Sequence, residues 1–121
     1  MESILDQSIK DLELIVVDDG STDATADAVR KMRDPRLRLV DGPHHGVASA
    51  ANAGTAFATA PIIARMDADD FSYPQRLEKQ LRLLHDQSLD VVGCQVRILY
   101  ESQEAAASMR RYERWINEDT I

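Results

Sequence analysis

The densest chemistry in the sequence is Arg65-Met66-Asp67-Ala68-Asp69-Asp70, which places three carboxylates in four residues directly after the apolar run Pro61-Ile62-Ile63-Ala64. Carboxylates this close do not all stay ionised unaided, and a cation among them removes the conflict. Hard oxygen ligands select magnesium, manganese or calcium over zinc. Magnesium and manganese sites combine one or two carboxylates with phosphate oxygens of a substrate. The cluster therefore points to a metal-bound phosphate ester. A second acidic pair, Asp18-Asp19, stands before Gly20-Ser21. Alone it is equally a plain turn with a helix cap.

The elements that must position these groups follow from the hydrophobic pattern. Leu12 to Val17 is a short aliphatic, β-branched run that stops at Asp18-Asp19-Gly20-Ser21, which predicts a strand buried on both faces. Ser21, Thr22 and Asp23 can cap a helix whose apolar stripe is Ala24, Ala28, Val29 and Met32 and which Asp34-Pro35 breaks. Leu37 to Val40 predicts a second strand, closed by Asp41-Gly42-Pro43, and Gly46 to Ala60 a helix of small residues able to pack close to a sheet. Ile62 to Met66 predicts a third strand running into the carboxylates. Ser72-Tyr73-Pro74-Gln75 has a capping-box pattern before Leu77, Leu81 and Leu84, and Asp90 to Val96 predicts a fourth strand. Strands alternating with helices indicate an α/β fold, a Rossmann-like parallel sheet flanked by helices, with ligands at the carboxyl ends of the strands. Both acidic turns are expected at that edge, facing one crevice.

The chain has 121 residues, 44% hydrophobic and 29% charged, the balance of one globular domain with its own core. We expect residues 1–100 to form the α/β core and 101–121 an amphipathic helical tail, with Met109, Tyr112 and Ile116 on one face beside Trp115. Arg110, Arg111 and Arg114 are diluted by Glu113, Glu118 and Asp119, so docking on protein is a better use of that tail than lying on a membrane. A net charge of -7 argues against a nucleic-acid partner. No apolar run approaches the length of a membrane span and no signal peptide is visible, so the expected location is cytoplasmic or peripheral at the cytoplasmic membrane face. The single Cys94 lies in an apolar segment and is expected to be a buried thiol. His44 and His45 lack a third ligand for a metal.

Four words in register resemble the family 2 glycosyltransferases of GT-A fold, which move a sugar from a nucleotide diphosphate donor to an acceptor. They are Ser3 to Ser8, Glu13 to Asp23, Gly46-Val47-Ala48 with Asn52-Ala53-Gly54, and Ala64 to Asp70 followed by Pro74 and Arg76-Leu77. The resemblance implies that Asp19, with Asp18, hydrogen-bonds the uracil or other base of the donor. It matches Asp67 and Asp69 to the DXD motif, the first near the ribose and donor sugar and the last on a manganese or magnesium ion that bridges the diphosphate, with Asp70 supporting or sharing that role. Asn52 matches the family's donor-site word, but Ala51 stands where many members carry arginine. Arg65 either faces the diphosphate or pairs with an aspartate, and the local excess of acid favours the pair.

The same resemblance implies a UDP- or dTDP-sugar donor, a glycan or lipid-linked acceptor, and transfer with inversion. It also implies a first strand ahead of Ser3 and, downstream, an acceptor-binding half carrying the general base that takes the acceptor proton. Neither has a counterpart in these residues. The chain is accordingly expected to be a donor-binding fragment, a partial GT-A fold incomplete as a catalyst, with exposed sheet edges through which copies could associate. Two rival readings are a receiver-like phosphoacceptor domain, which lacks the required lysine at a late strand end, and a non-catalytic dimerisation module using Tyr112, Trp115 and Ile116.

Overall fold

The structure, a computed structural model, describes residues 1–100 and 105–119. It divides into two compact units, Met1–Glu78 and Lys79–Ile121. The expected division after residue 100 adjoins residues outside those described.

In the first unit the order is α1 (Glu2–Leu5), β1 (Leu14–Asp18), α2 (Thr25–Lys31), β2 (Leu37–Asp41) and α3 (Val47–Phe57), and α4 (Arg76–Gln87) begins at its end. β1 and β2 pair in parallel, with Leu14 opposite Leu37 and Asp18 opposite Asp41. This two-stranded sheet flanked by helices is the mixed α/β architecture expected. α2 packs on β2 and α3 on β1. The small residues of α3 allow the close approach: a Cβ built on Gly54 would stand 3.1 Å from Val17 Cγ2. Ile4, Leu5, Val29 and Val40 form the buried apolar core. Arg36 joins two parts of it, pairing with Asp34 at 2.8 Å while donating to the Leu5 carbonyl at 3.1 Å.

The expected third strand does not form. Residues 61–66 join no ladder, and Ile62 and Ile63 are half-exposed. A strand exists only against a neighbour, and high β-propensity does not supply one. The start of the segment is held instead by a side chain. Glu13 Oε1 accepts the N–H groups of Thr59 (2.7 Å) and Ala60 (3.2 Å) and the Thr59 hydroxyl (2.7 Å). These hydrogen bonds, Thr59 foremost, hold the Glu13 carboxyl below its ordinary range. The capping box is also absent. Ser72 is turned inward and α4 begins at Arg76.

In the second unit the expected fourth strand, Asp90 to Val96, is not a strand either. The tail forms α5 (Ala105–Arg114) and continues as a π-helical turn, Trp115–Asp119. Side chains of the tail satisfy the backbone that a neighbouring strand would have satisfied. Asn117 both accepts from Val96 N–H and donates to Val96 C=O, each at 2.8 Å, and Glu113 Oε2 accepts from Ile98 N–H at 2.8 Å. Without a sheet around it Cys94 is exposed, which corrects the expectation of a buried thiol. Tyr112 and Trp115 stack with centroids 5.7 Å apart. Among the described residues no helix is long and apolar enough to cross a membrane.

Candidate functional site

β1 ends in the first acidic turn, and the structure ties that turn to the loop after β2. Asp18 Oδ1 accepts from Ser21 N–H at 2.9 Å. Hydrogen bonding by Ser21 holds the Asp18 carboxyl below its ordinary value, with smaller help from the charges of Arg30 and His44. Asp19 bridges the two loops: Oδ1 accepts from His44 N–H at 2.7 Å and Oδ2 from Gly46 N–H at 2.8 Å. The Asp18 carbonyl accepts from Gly42 N–H at 2.8 Å.

Close approach requires glycine here. A Cβ on Gly20 would fall 2.7 Å from His44 Nδ1, and one on Gly42 would fall 2.8 Å from Asp19 Oδ1. Gly20 also has φ +97°, a left-handed conformation that other residues rarely adopt. His44 itself is left-handed at φ +59°, a strained state for a side-chain-bearing residue that the Asp19 bridge and the ring's contact with Gly20 hold in place. Sequence reasoning weighed His44 only as a metal ligand. It missed the Asp19 bridge, for which the glycines at 20, 42 and 46 were the available signal.

The second acidic turn follows the extended segment rather than a strand, so only the first of the two closes a strand. Asp70 N–H donates to the Asp67 carbonyl at 3.2 Å. Arg65 Nη2 lies 2.9 Å from Asp67 Oδ1, both side chains well exposed, so Arg65 forms the pair. An open pocket of about 280 Å³ is lined by Arg65, Met66, Asp67 and Asp70. Asp69 is not part of that lining. Neither Asp69 nor Asp70 has a side-chain partner among the described residues. Asn52 stands on the exposed surface of α3, likewise without one.

Among the described residues no three His, Cys, Asp or Glu side chains converge as a ligand set. Two carboxylates on one pocket still fit a magnesium or manganese ion, which takes one or two protein carboxylates and completes its shell with phosphate and water. Arg76, unassigned from sequence, reaches Met66 Sδ at 3.9 Å, and its buried Nε has no partner among the described residues.

The segment behind this turn is anchored by Gln7, which is fully buried. Its Nε2 lies 2.9 Å from Ser3 O, 2.8 Å from Tyr73 O and 3.1 Å from Ser72 Oγ, two N–H groups shared among three acceptors. Its Oε1 accepts from Leu77 N–H at 3.1 Å. Ser72 N–H donates to Ser3 Oγ and Ser8 N–H to the Pro74 carbonyl. The residues after Asp70 are thereby fastened to α1.

Comparison with known proteins points to one family. The family model described as glycosyl transferase family 2 matches residues 1–120. The chondroitin synthase of Pasteurella multocida is 38% identical over 95 residues, which covers 76% of this chain and 10% of the synthase. The bifunctional glycosyltransferase pgtA of Dictyostelium discoideum is 33% identical over 106 residues, 81% of this chain and 14% of that protein. An uncharacterized glycosyltransferase of Haemophilus influenzae is 33% identical over 115 residues, 84% of this chain and 46% of that protein. The chain thus spans less than half the length of each of these relatives. No solved structure matches it significantly.

Proposed function

The chain belongs to glycosyltransferase family 2, and from that premise we propose that its first unit binds the nucleotide diphosphate of a sugar donor, UDP- or dTDP-linked, for inverting transfer to a glycan or lipid-linked acceptor. The observation that carries this reading is the open pocket lined by Asp67 and Asp70, with a guanidinium at its rim. Asp67, Asp69 and Asp70 are the residues proposed to hold manganese or magnesium, which when bound neutralises charge developing on the leaving diphosphate. Asp18 and Asp19 are assigned to the base, and Asn52 to the donor. Arg65, paired with Asp67, offsets the acid of the cluster before donor and metal arrive. No residue of the chain is assigned the general base.

Since the second acidic turn closes no strand, the receiver-like reading loses the arrangement it rested on. The edge of β1 away from β2 has no strand partner among the described residues. Open edges pair with other chains, so association of copies through that edge belongs to the same proposal, as does a peripheral place at the cytoplasmic membrane face.

The test is calorimetric titration with UDP, with and without manganese. We expect affinity to fall roughly tenfold, about 1.4 kcal/mol, when manganese is withheld or when Asp69 and Asp70 are both replaced by alanine. Equal affinity of the wild type and that double variant in the presence of manganese would overturn the metal assignment.

A further inference from the structure

Of the arginines in the first unit only Arg36 and Arg76 are half-buried, and the rest are exposed. Burial makes the same demand on both, because a guanidinium taken from water has to find acceptors for its N–H groups. Arg36 finds them: its Nε and Nη2 reach the two oxygens of Asp34 at 3.0 and 2.8 Å, and Nη2 also reaches the Leu5 carbonyl at 3.1 Å. Arg76 does not. Its Nη2 has the thioether of Met66 at 3.9 Å, and its buried Nε has no acceptor among the described residues. Asp67, Asp69 and Asp70 are near in sequence, yet none of them pairs with it. A thioether is a weak acceptor, and a buried N–H without an acceptor lowers stability. The position adds to the cost, since Arg76 is the first residue of α4, where the helix dipole disfavours a cation.

A buried cation kept without a counter-charge calls for a partner from outside the chain, and Met66 indicates from where. Met66 lines the open pocket, Arg76 does not, and Met66 is the residue that Arg76 touches, so the guanidinium stands one side chain behind the pocket wall. Methionine is unbranched, turns on three bonds and repacks easily. We propose that Arg76 is the cationic contact for a diphosphate in the pocket, covered by Met66 at rest and uncovered when that side chain turns aside. Phosphate oxygens then replace the sulfur as acceptors, in charge-assisted bonds stronger than any a thioether accepts, and the planar guanidinium can offer two N–H groups in parallel. The need for an anion follows from the unpaired guanidinium, and the choice of a diphosphate rests on the donor reading above. Arg65 has a different task, since it is exposed and already paired with Asp67.

The test titrates the full chain by calorimetry with inorganic pyrophosphate and, separately, with UDP, each in magnesium and in EDTA. Arg76→Met is expected to weaken pyrophosphate binding roughly tenfold, the scale of one hydrogen bond to a charged group. Arg76→Lys should fall between the two, because it keeps the charge and loses the fork. Met66→Ala, which uncovers the guanidinium, should bind pyrophosphate at least as tightly as the wild type. Thermal unfolding without ligand adds a readout that a structural arginine would not give: Arg76→Met should melt at or above the wild-type temperature, since it removes the unsatisfied N–H. Equal pyrophosphate affinity in wild type and Arg76→Met overturns the assignment. So does a clear drop in the melting temperature of Arg76→Met, or a loss of affinity in Met66→Ala as large as in Arg76→Met. UDP separates this inference from the reading it rests on. Pyrophosphate binding that depends on Arg76, with no binding of UDP, refutes the donor reading alone. UDP binding that needs magnesium and ignores Arg76→Met refutes the Arg76 contact alone.

Discussion

At the first acidic turn both oxygens of Asp19 and one of Asp18 accept backbone N–H groups from neighbouring residues, whereas at the second only Asp67 has a side-chain partner among the described residues, the guanidinium of Arg65. The two stretches read alike as sequence, acidic residues after an apolar run. In the first, charge shapes the backbone: a carboxylate accepting N–H bonds is part of the loop's own hydrogen bonding. In the second, the chain just beyond the turn is fastened by Gln7 and Ser3, and the Asp69 and Asp70 carboxylates stay open to a ligand. A carboxylate has lone pairs for about four hydrogen bonds, so Asp19 can bridge its loops and still accept from a donor base. The difference separates residues that prepare the site from residues that await charge.

The largest effect is expected where the open turn depends on its anchor. Gln7→Leu would take away the Gln7 partner of the Leu77 N–H and of the Ser3 carbonyl, both in partly buried bonds, at a destabilisation of about 3 kcal/mol. Urea denaturation measures it. A loss below about 1 kcal/mol would show that the second turn does not rely on that network. Next comes Asp19→Asn, which keeps one carbonyl acceptor for two N–H groups. We expect a loss of about 2 kcal/mol, with faster hydrogen exchange at the His44 and Gly46 amides. Asp70→Asn is its counterpart, expected within about 0.5 kcal/mol of wild type. Equal losses for the two substitutions would erase the contrast between the turns.

Acid sharpens the same contrast. Asp34 is held down to about 2, first by its hydrogen bonds from Arg36, and Asp18 is lowered by Ser21. A carboxyl with a depressed folded-state pKa contributes stability that is present above its unfolded value, near 4, and is lost as pH falls through the folded value. Melting temperature should therefore decline between about pH 4 and pH 2, and Asp34→Asn should flatten that decline. A decline of undiminished steepness in Asp34→Asn would remove the Asp34–Arg36 pair as a cause.

The first half of the chain was largely readable because its elements carry their own punctuation. Asp-Asp-Gly and Asp-Gly-Pro close β1 and β2, and Gly54 within a run of small residues anticipates the close approach of α3. The third and fourth expected strands failed for one reason. A strand is a property of a pair, and neither Ile62 to Met66 nor Asp90 to Val96 shows in its own composition whether a neighbour is present. Asn117 and Glu113 replaced such a neighbour for Val96 and Ile98, a substitution of side chain for ladder that no periodicity reveals. Of the site, residue types were readable and connections were not. Gln7 looks like any surface glutamine in sequence, and its burial follows from partners 65 and more residues away.

The smallest effect tests the one partner that the open turn has. Arg65 and Asp67 are both well exposed, and exposed pairs contribute about 0.5 kcal/mol or less because water screens them and long side chains lose freedom in making them. Arg65→Met should therefore leave the urea midpoint nearly unchanged. Its effect on metal is the informative quantity. The guanidinium occupies Asp67 Oδ1 at 2.9 Å and repels a dication approaching that carboxylate. Removing it should raise manganese affinity about two- to threefold, a Coulomb effect weakened by solvent, read by calorimetry with manganese alone. If Arg65 instead faces the diphosphate, manganese affinity stays level and metal-free UDP binding falls. That result would move Arg65 from partner of the cluster to contact of the donor, and the second turn would be open at all three of its carboxylates.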